Sequence, residues 1–212
     1  MLSIPEEYHD WYYRQSVWTK TRFLGVPCLK SVSDMWNYQE ILTELKPALV
    51  IEFGTHMGGS ALYFEAMLGL VSPRGLVLTV DIDHNPVVDQ VRQNSRIVLF
   101  QSDTTSPAVA ERIRALRSSN PGNAFFIVDS DHTKNHVYAE MLLLRSVTLP
   151  GDYVIIEDGN INGHPVLPDW GPGPYEAVEE YFSNYPDDYR LDSDREQKFG
   201  FTFAPKGFLI RR

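Results

Sequence analysis

Residues 49–60, LVIEFGTHMGGS, constrain this chain more than any other stretch. An apolar, β-branched run that ends in an acid and a glycine-rich turn, and then opens a helix, is the strand–turn–helix unit of an open parallel sheet. In such sheets ligands bind beyond the carboxyl ends of the strands, where glycine lets backbone approach them closely. Gly54, Gly58 and Gly59 stand there. Their G-x-x-x-G-G spacing is not the G-x-G-x-x-G that seats a dinucleotide pyrophosphate, which counts against a nicotinamide cofactor. Glu52, next to last in the strand, is poorly placed for phosphates and suits a cationic ligand.

The flanks repeat the unit. Residues 34–45 carry Met35, Tyr38, Ile41, Leu42 and Leu45 at helical spacing, and Pro47 closes that helix. Strands are predicted at 48–53, 76–80, 96–100, 124–128 and 152–156. Helices alternate with them at 57–70, at 87–94 behind an Asn85 cap and Pro86, from Ser106-Pro107 onward, and at 136–145. A βαβα series predicts an α/β fold, a doubly wound and mostly parallel sheet with helices on both faces. With 212 residues, 43% of them hydrophobic, the chain has the apolar content of one domain with a sizeable core.

Before the first strand, Tyr8, Trp11, Tyr12, Tyr13 and Trp18 predict a short helix followed by irregular chain, either a packing flap or a substrate wall. Residues 159–174 read as a long loop over the strand ends. A helix starting at Pro174 with Ala177, Val178, Tyr181 and Phe182 apolar follows it. In the tail, FTFAPKGFLIRR, two β-prone runs flank Pro205-Lys206-Gly207 and predict an antiparallel hairpin at a sheet edge.

A formal net charge of −9, with Lys and Arg scattered, argues against a nucleic-acid partner. No run approaches the ~18 apolar residues of a membrane span. Glu6, Glu7 and Asp10 stand where a signal peptide would be basic, and Cys28 has no second cysteine to pair with. The expectation is a cytoplasmic protein with no membrane partner and with Cys28 as a packed small residue. Exposed aromatics near the N-terminus leave a homo-oligomer open.

Chemistry enters with the acids at the strand ends. Asp81 ends the second strand, where a carboxylate can accept hydrogen bonds from a ribose diol. A lone acid there is as readily a solvated group or a cap; beside the glycine turn the ribose reading gains. Ser102-Asp103 ends the third strand, as a base contact or a helix cap. Asp129 ends the fourth and Glu157-Asp158 the fifth, so adjacent strands deliver three carboxylates to one rim. Like charges packed together persist at neutral pH when a cation neutralises them, and all-oxygen donors favour a hard ion such as Mg²⁺.

The blocks VIEFGTHMGGSALYF, VDIDH, FIVDSDHTKNHV and YVIIEDGN, with PGPYEAV downstream, resemble the cephalosporin hydroxylase and rhamnosyl O-methyltransferase family, and more distantly the Mg²⁺-dependent catechol O-methyltransferase type. The likeness covers roughly residues 20–182. It implies a Rossmann-like, seven-stranded methyltransferase sheet ending in an antiparallel hairpin, S-adenosylmethionine as cofactor and Mg²⁺ as metal. One domain would span 1–212, with 1–46 as an aromatic substrate cap and 47–212 as the cofactor-binding core. Glu52, Gly54, Thr55, Gly58 and Ser60 would line the methionine end of the cofactor. Asp81, with Ile82 beside it, would hold the ribose, Ser102 and Asp103 would lie by the adenine, and Asp129 would face both cofactor and metal. Asp129, Glu157 and Asp158 fall on the metal positions. Where the catechol-type relatives carry a catalytic lysine three residues after the first metal ligand, this chain has His132.

These parts predict transfer of a methyl group to a hydroxyl of a small molecule, a natural product or its sugar. The metal would lower the hydroxyl's pKa, and His132, with a pKa suited to neutral operation, would take the proton. Lys134 is the weaker candidate base and His136 a structural partner. The acceptor pocket is expected from the N-terminal aromatics, Trp36, Tyr38 and the loop bearing His164, Trp170 and Tyr175. Two other readings stand beside this one. A nicotinamide-dependent dehydrogenase is disfavoured by the glycine spacing and the lack of a Tyr-x-x-x-Lys pair. A cofactor-binding partner of a biosynthetic hydroxylase would have no need to keep repelling acids.

Overall fold

The computed structural model describes residues 3–212. The chain opens with α1 (Ile4–Arg14), whose Ser3 and Glu6 cap one another reciprocally with Pro5 in the first turn. A 3-10 turn (Val17–Lys20) and a small antiparallel ribbon, β1 (Arg22–Phe23) with β2 (Val26–Pro27), lead to α2 (Val32–Leu45). Then come β3 (Leu49–Phe53), α3 (Gly59–Val71), β4 (Leu76–Asp81), α4 (Asp89–Arg92), β5 (Ile97–Gln101), α5 (Pro107–Ser119), β6 (Ala124–Val128), α6 (Lys134–Arg145) and β7 (Tyr153–Ile156). The chain closes with α7 (Pro174–Asn184), β8 (Tyr189–Leu191), α8 (Ser193–Gln197) and β9 (Phe208–Arg211).

Seven strands form one sheet in the order β5-β4-β3-β6-β7-β9-β8. The first five are parallel, and β9 runs antiparallel to both β7 and β8. β3 is the middle one of the five parallel strands and every residue in it is buried, as a strand covered on both faces must be. Alternate residues feed the two layers. Val50, Phe125, Ile127 and Ile155 pack against α2 and α3 through Tyr38, Leu42, Ala61 and Phe64. Leu49, Ile51, Phe53, Phe126 and Val154 pack against α5, α6 and α7 through Ile113, Met141, Val178 and Tyr181. Each such large side chain, fully withdrawn from water, contributes about 2–3 kcal/mol. The predicted α/β class and five-strand series are therefore present.

Several boundaries move. α3 starts at Gly59, because Gly58 takes a left-handed φ of +87° and ends the turn there. The helix expected over 87–94 shrinks to α4. Asn85 is not its cap but donates its N–H to Asp83 Oδ1, while Arg92 reaches back to the carbonyls of His84 and Val87 and holds that segment as a loop. The terminal hairpin exists with a different partner: β9 pairs with Tyr189–Leu191, not with the run at 201–203. That run is held by α2 instead, since Thr202 Oγ1 and the Phe203 N–H both donate to Asp34, at 2.6 and 2.8 Å. No helix among the described residues is long and apolar enough to cross a membrane.

Candidate active site

The carboxyl ends of β3, β4, β6 and β7 open into one cavity of about 940 Å³. The turn after β3 forms its floor. Gly54 has φ +98°, and a Cβ there would stand 1.9 Å from the Asp129 carbonyl oxygen, so glycine is what lets the ends of β3 and β6 lie against each other. Gly58 packs on Val91 and Gly59 on the Pro27 carbonyl, so these two pack the turn against α4 and β2. Thr55, Gly54 and Ser60 line the cavity; Gly58 does not.

Asp81 binds that turn in place. Its Oδ2 accepts the backbone N–H of Thr55 at 2.9 Å and of His56 at 3.1 Å, while Oδ1 accepts Asp83 N–H at 3.1 Å. Ile82 beside it is 71% exposed yet lines the cavity, an apolar side chain left without a partner. Asp103 lines the same end, with Oδ1 engaged by the Thr105 N–H and hydroxyl; Ser102 does not reach the cavity. Glu52 lies beneath rather than in the cavity. It is wholly buried, its Oε2 accepts from Thr79 Oγ1 at 2.8 Å, its Oε1 has no hydrogen-bond partner among the described residues, and burial lifts its carboxyl to about 7.

On the other side of β3 from Asp81, the ends of β6 and β7 carry the acids. Ligand atoms of Asp129, His132 and Asp158 all lie within 4.8 Å of one another. Asp158 holds a left-handed φ of 54°, a conformation that costs a non-glycine residue about 1–3 kcal/mol and points to a constrained site. Its Oδ2 pairs with His132 Nδ1 at 2.8 Å, leaving Nε2 for another partner. Burial would lower the imidazole pKa, but Asp158, Asp129 and Glu157 outweigh it and hold it at about 9. The expected near-neutral histidine is thus an imidazolium in this state.

Glu157 is not turned toward that cluster. Its Oε1 accepts the Tyr38 hydroxyl at 2.6 Å and its Oε2 the Lys30 ammonium at 2.8 Å. Lys30 is 2% exposed and also donates to Asp129 Oδ2 at 2.6 Å. Burial opposes its charge, yet Asp129 and Glu157 keep it an ammonium well beyond the usual lysine range. No local signal marks Lys30 in the sequence. The one hint is the surplus of buried carboxylates that needed a cation.

Other expected residues sort differently. Lys134 pairs with Glu180 on α7, away from the cavity, which removes it as a base. His136 lines the cavity between Thr104 Oγ1 at 2.9 Å and Glu140 Oε1 at 3.4 Å. Trp36 faces outward onto Glu40, and Tyr38 is a core residue, so neither forms the acceptor wall. His164 and Tyr175, stacked 3.7 Å apart, belong to a second, neighbouring cavity. Tyr13, Trp18, Ile161, Trp170 and Phe203 supply the aromatic and apolar wall of the main one. Cys28 is buried, with its thiol pushed up to about 12 by burial.

Residues 15–212 match the family described as rhamnosyl O-methyltransferase/CmcI. The rhamnosyl O-methyltransferase of Mycobacterium bovis (strain BCG / Pasteur 1173P2) is 55% identical over 99% of this chain and 85% of its own length. That of Mycobacterium leprae (strain TN) is 54% identical over 99% of this chain and 91% of its own. Among solved structures, apo CmcI-N160 superposes with a TM-score of 0.72 at 23% identity over 91% of this chain and 76% of its own. The Mg-SAM form of cmcI-D160 gives 0.72 at 22% identity over 92% and 77%. The likeness to the solved structures extends to the fold, and with the family match over residues 15–212 and relatives above half identity the chain belongs to the rhamnosyl O-methyltransferase/CmcI family.

Proposed function

We propose that this protein is an S-adenosylmethionine-dependent, Mg²⁺-assisted O-methyltransferase that methylates a hydroxyl of a rhamnosyl residue on a small molecule. The observation that carries the reading is one cavity lined both by a cofactor-type rim, Asp81 and Ile82, and by the cluster of Asp129, His132 and Asp158. It has room for a nucleoside cofactor and a sugar together. Relatives above half identity named for the same reaction support it.

The residues fit both groups. Asp81 would accept the ribose hydroxyls, Ile82 would cover the adenine with Asp103 at its edge, and Gly54, Thr55 and Ser60 would border the methionine. Two carboxylates, Asp129 and Asp158, suffice for a Mg²⁺ that keeps waters and substrate oxygens in its remaining positions. When bound, S-adenosylmethionine supplies the methyl group, and the cation supplies positive charge that offsets Asp129 and Asp158 and lowers the pKa of both acceptor hydroxyl and imidazole. Asp158 orients His132 through Nδ1, so Nε2 receives the acceptor's proton. Trp18, Trp170 and Phe203 exclude water and stack on the sugar's apolar face. The segment up to residue 46 serves as the substrate cap through Tyr13 and Trp18.

Calorimetric titration with S-adenosylmethionine, with and without Mg²⁺, followed by mass analysis of rhamnosylated acceptors, tests this. A mass gain of one methyl group is expected. Binding of NAD in place of S-adenosylmethionine would overturn it.

A further inference from the structure

His9 and Tyr13 stand four residues apart on α1, so they share one face of the helix, a turn from each other. His9 is buried and accepts from Asn160 Nδ2 at 2.9 Å, two residues beyond Asp158. That contact sets α1 against the segment leaving β7, and the next turn brings Tyr13 into the wall of the cavity that Asp129, His132 and Asp158 also line. Trp18 and Phe203 hold the Tyr13 ring there, each with its centroid 5.8 Å away. The phenol is therefore fixed in place. In the same cavity the hydroxyls of Thr55, Thr104 and Ser130 are engaged by Thr79, His136 and Glu140, at 2.7, 2.9 and 2.6 Å. That of Tyr13 makes no hydrogen bond to any described residue, although the Asp158 carboxylate is near enough to act on it. Burial and that charge push the phenol up to about 12, which keeps it a neutral donor.

We propose that the Tyr13 hydroxyl donates a hydrogen bond to an oxygen of the acceptor sugar next to the one that is methylated, and thereby fixes which of two neighbouring hydroxyls receives the methyl group. The inference rests on the methyltransferase reading and adds a residue that determines its regiochemistry. Neighbouring hydroxyls of a sugar are chemically alike, and a small rotation of the ring exchanges one for the other in front of the base. Stacking on Trp18 and Phe203 tolerates that rotation, because an aromatic face holds the sugar without fixing its angle. A donor anchored on α1 does not tolerate it, since turning the sugar away leaves the phenol unpaired.

The test uses the full chain with S-adenosylmethionine, MgCl₂ and p-nitrophenyl α-L-rhamnoside as acceptor. Initial rates give kcat and KM, and nuclear magnetic resonance of the product locates the methyl group. Wild type is expected to yield one monomethylated isomer. Tyr13→Phe keeps the ring and its contacts, so the variant folds, which melting curves check. It is expected to raise the acceptor KM about fivefold, the loss of one net hydrogen bond, and to leave S-adenosylmethionine affinity within about twofold. Its product should be a mixture of two neighbouring isomers, a change that a merely structural role for the phenol would not produce. A folded Tyr13→Phe with the wild-type acceptor KM, or with its product methylated at the wild-type position alone, overturns the inference and leaves the function standing. So does a wild-type product that is already a mixture. A wild-type protein that binds S-adenosylmethionine but transfers no methyl group to the rhamnoside sinks the rhamnosyl reading and the inference together.

Discussion

Asp34 and Thr202 lie 168 positions apart in sequence and are joined by a buried 2.6 Å hydrogen bond, with Phe203 N–H donating to the same carboxylate. This ties the start of α2, which delivers Lys30, to the loop that delivers Phe203 to the cavity wall. Asp34→Ala would leave two buried donors unsatisfied and cost about 2–4 kcal/mol. Urea unfolding should show that loss with an unchanged slope.

The same carboxyl gives a pH signature. Burial lifts Asp34 to about 7, above its unfolded value of about 4. A folded pKa raised this way contributes stability that is full below pH ~4 and is lost as pH rises through ~7, because the native state then holds a proton the unfolded chain has released. Asp34→Asn should flatten the stability profile between those values relative to wild type. An unchanged profile would place the carboxylate, not the acid, in the folded protein.

His9 works with the opposite sign. It is buried at 3% exposure, its Nε2 accepts from Asn160 Nδ2 at 2.9 Å, and it stacks on Phe203. Burial lowers it to about 4, so its contribution is present above pH ~6.5 and is lost as pH falls toward ~4. Because α1 carries Trp11 and the next turn Trp18, acidification in that window should shift tryptophan emission as α1 loosens. His9→Gln should reduce the shift.

For the chemistry, His132→Ala is expected to lower kcat by about 100-fold or more while leaving S-adenosylmethionine affinity within a few fold. Asp158→Asn should lower kcat and also weaken Mn²⁺ binding. If His132→Ala retains full turnover, the proton leaves by another route.

Gly54→Ala should abolish the site rather than tune it. Its Cβ would lie 1.9 Å from backbone oxygen, and φ +98° disfavours any L side chain. Loss of cofactor binding with a lowered Tm is expected by calorimetry and melting.

The alternation of apolar runs, glycine turns and helical spacing determined the doubly wound sheet, since periodicity and turn chemistry are local and survive in one dimension. Strand-end acids were legible for the same reason: in a parallel sheet, residues ending successive strands must share one rim. Local pattern misjudged wherever a distant partner intervened. The run Phe201–Phe203 looks like a strand but is claimed by Asp34. Tyr38 and Trp36 looked alike as pocket aromatics, yet Tyr38 is turned in to Glu157 and Trp36 out to Glu40. Glu157 and Asp158 are neighbours in the chain, but Asp158's left-handed backbone turns it to His132 while Glu157 meets Lys30. Lys30 itself is 99 positions from Asp129, and its pairing there was a matter of chain packing alone. Sequence determined which charges reach the rim; tertiary structure decided which of them are free, because a buried charge takes whichever opposite charge the fold places beside it.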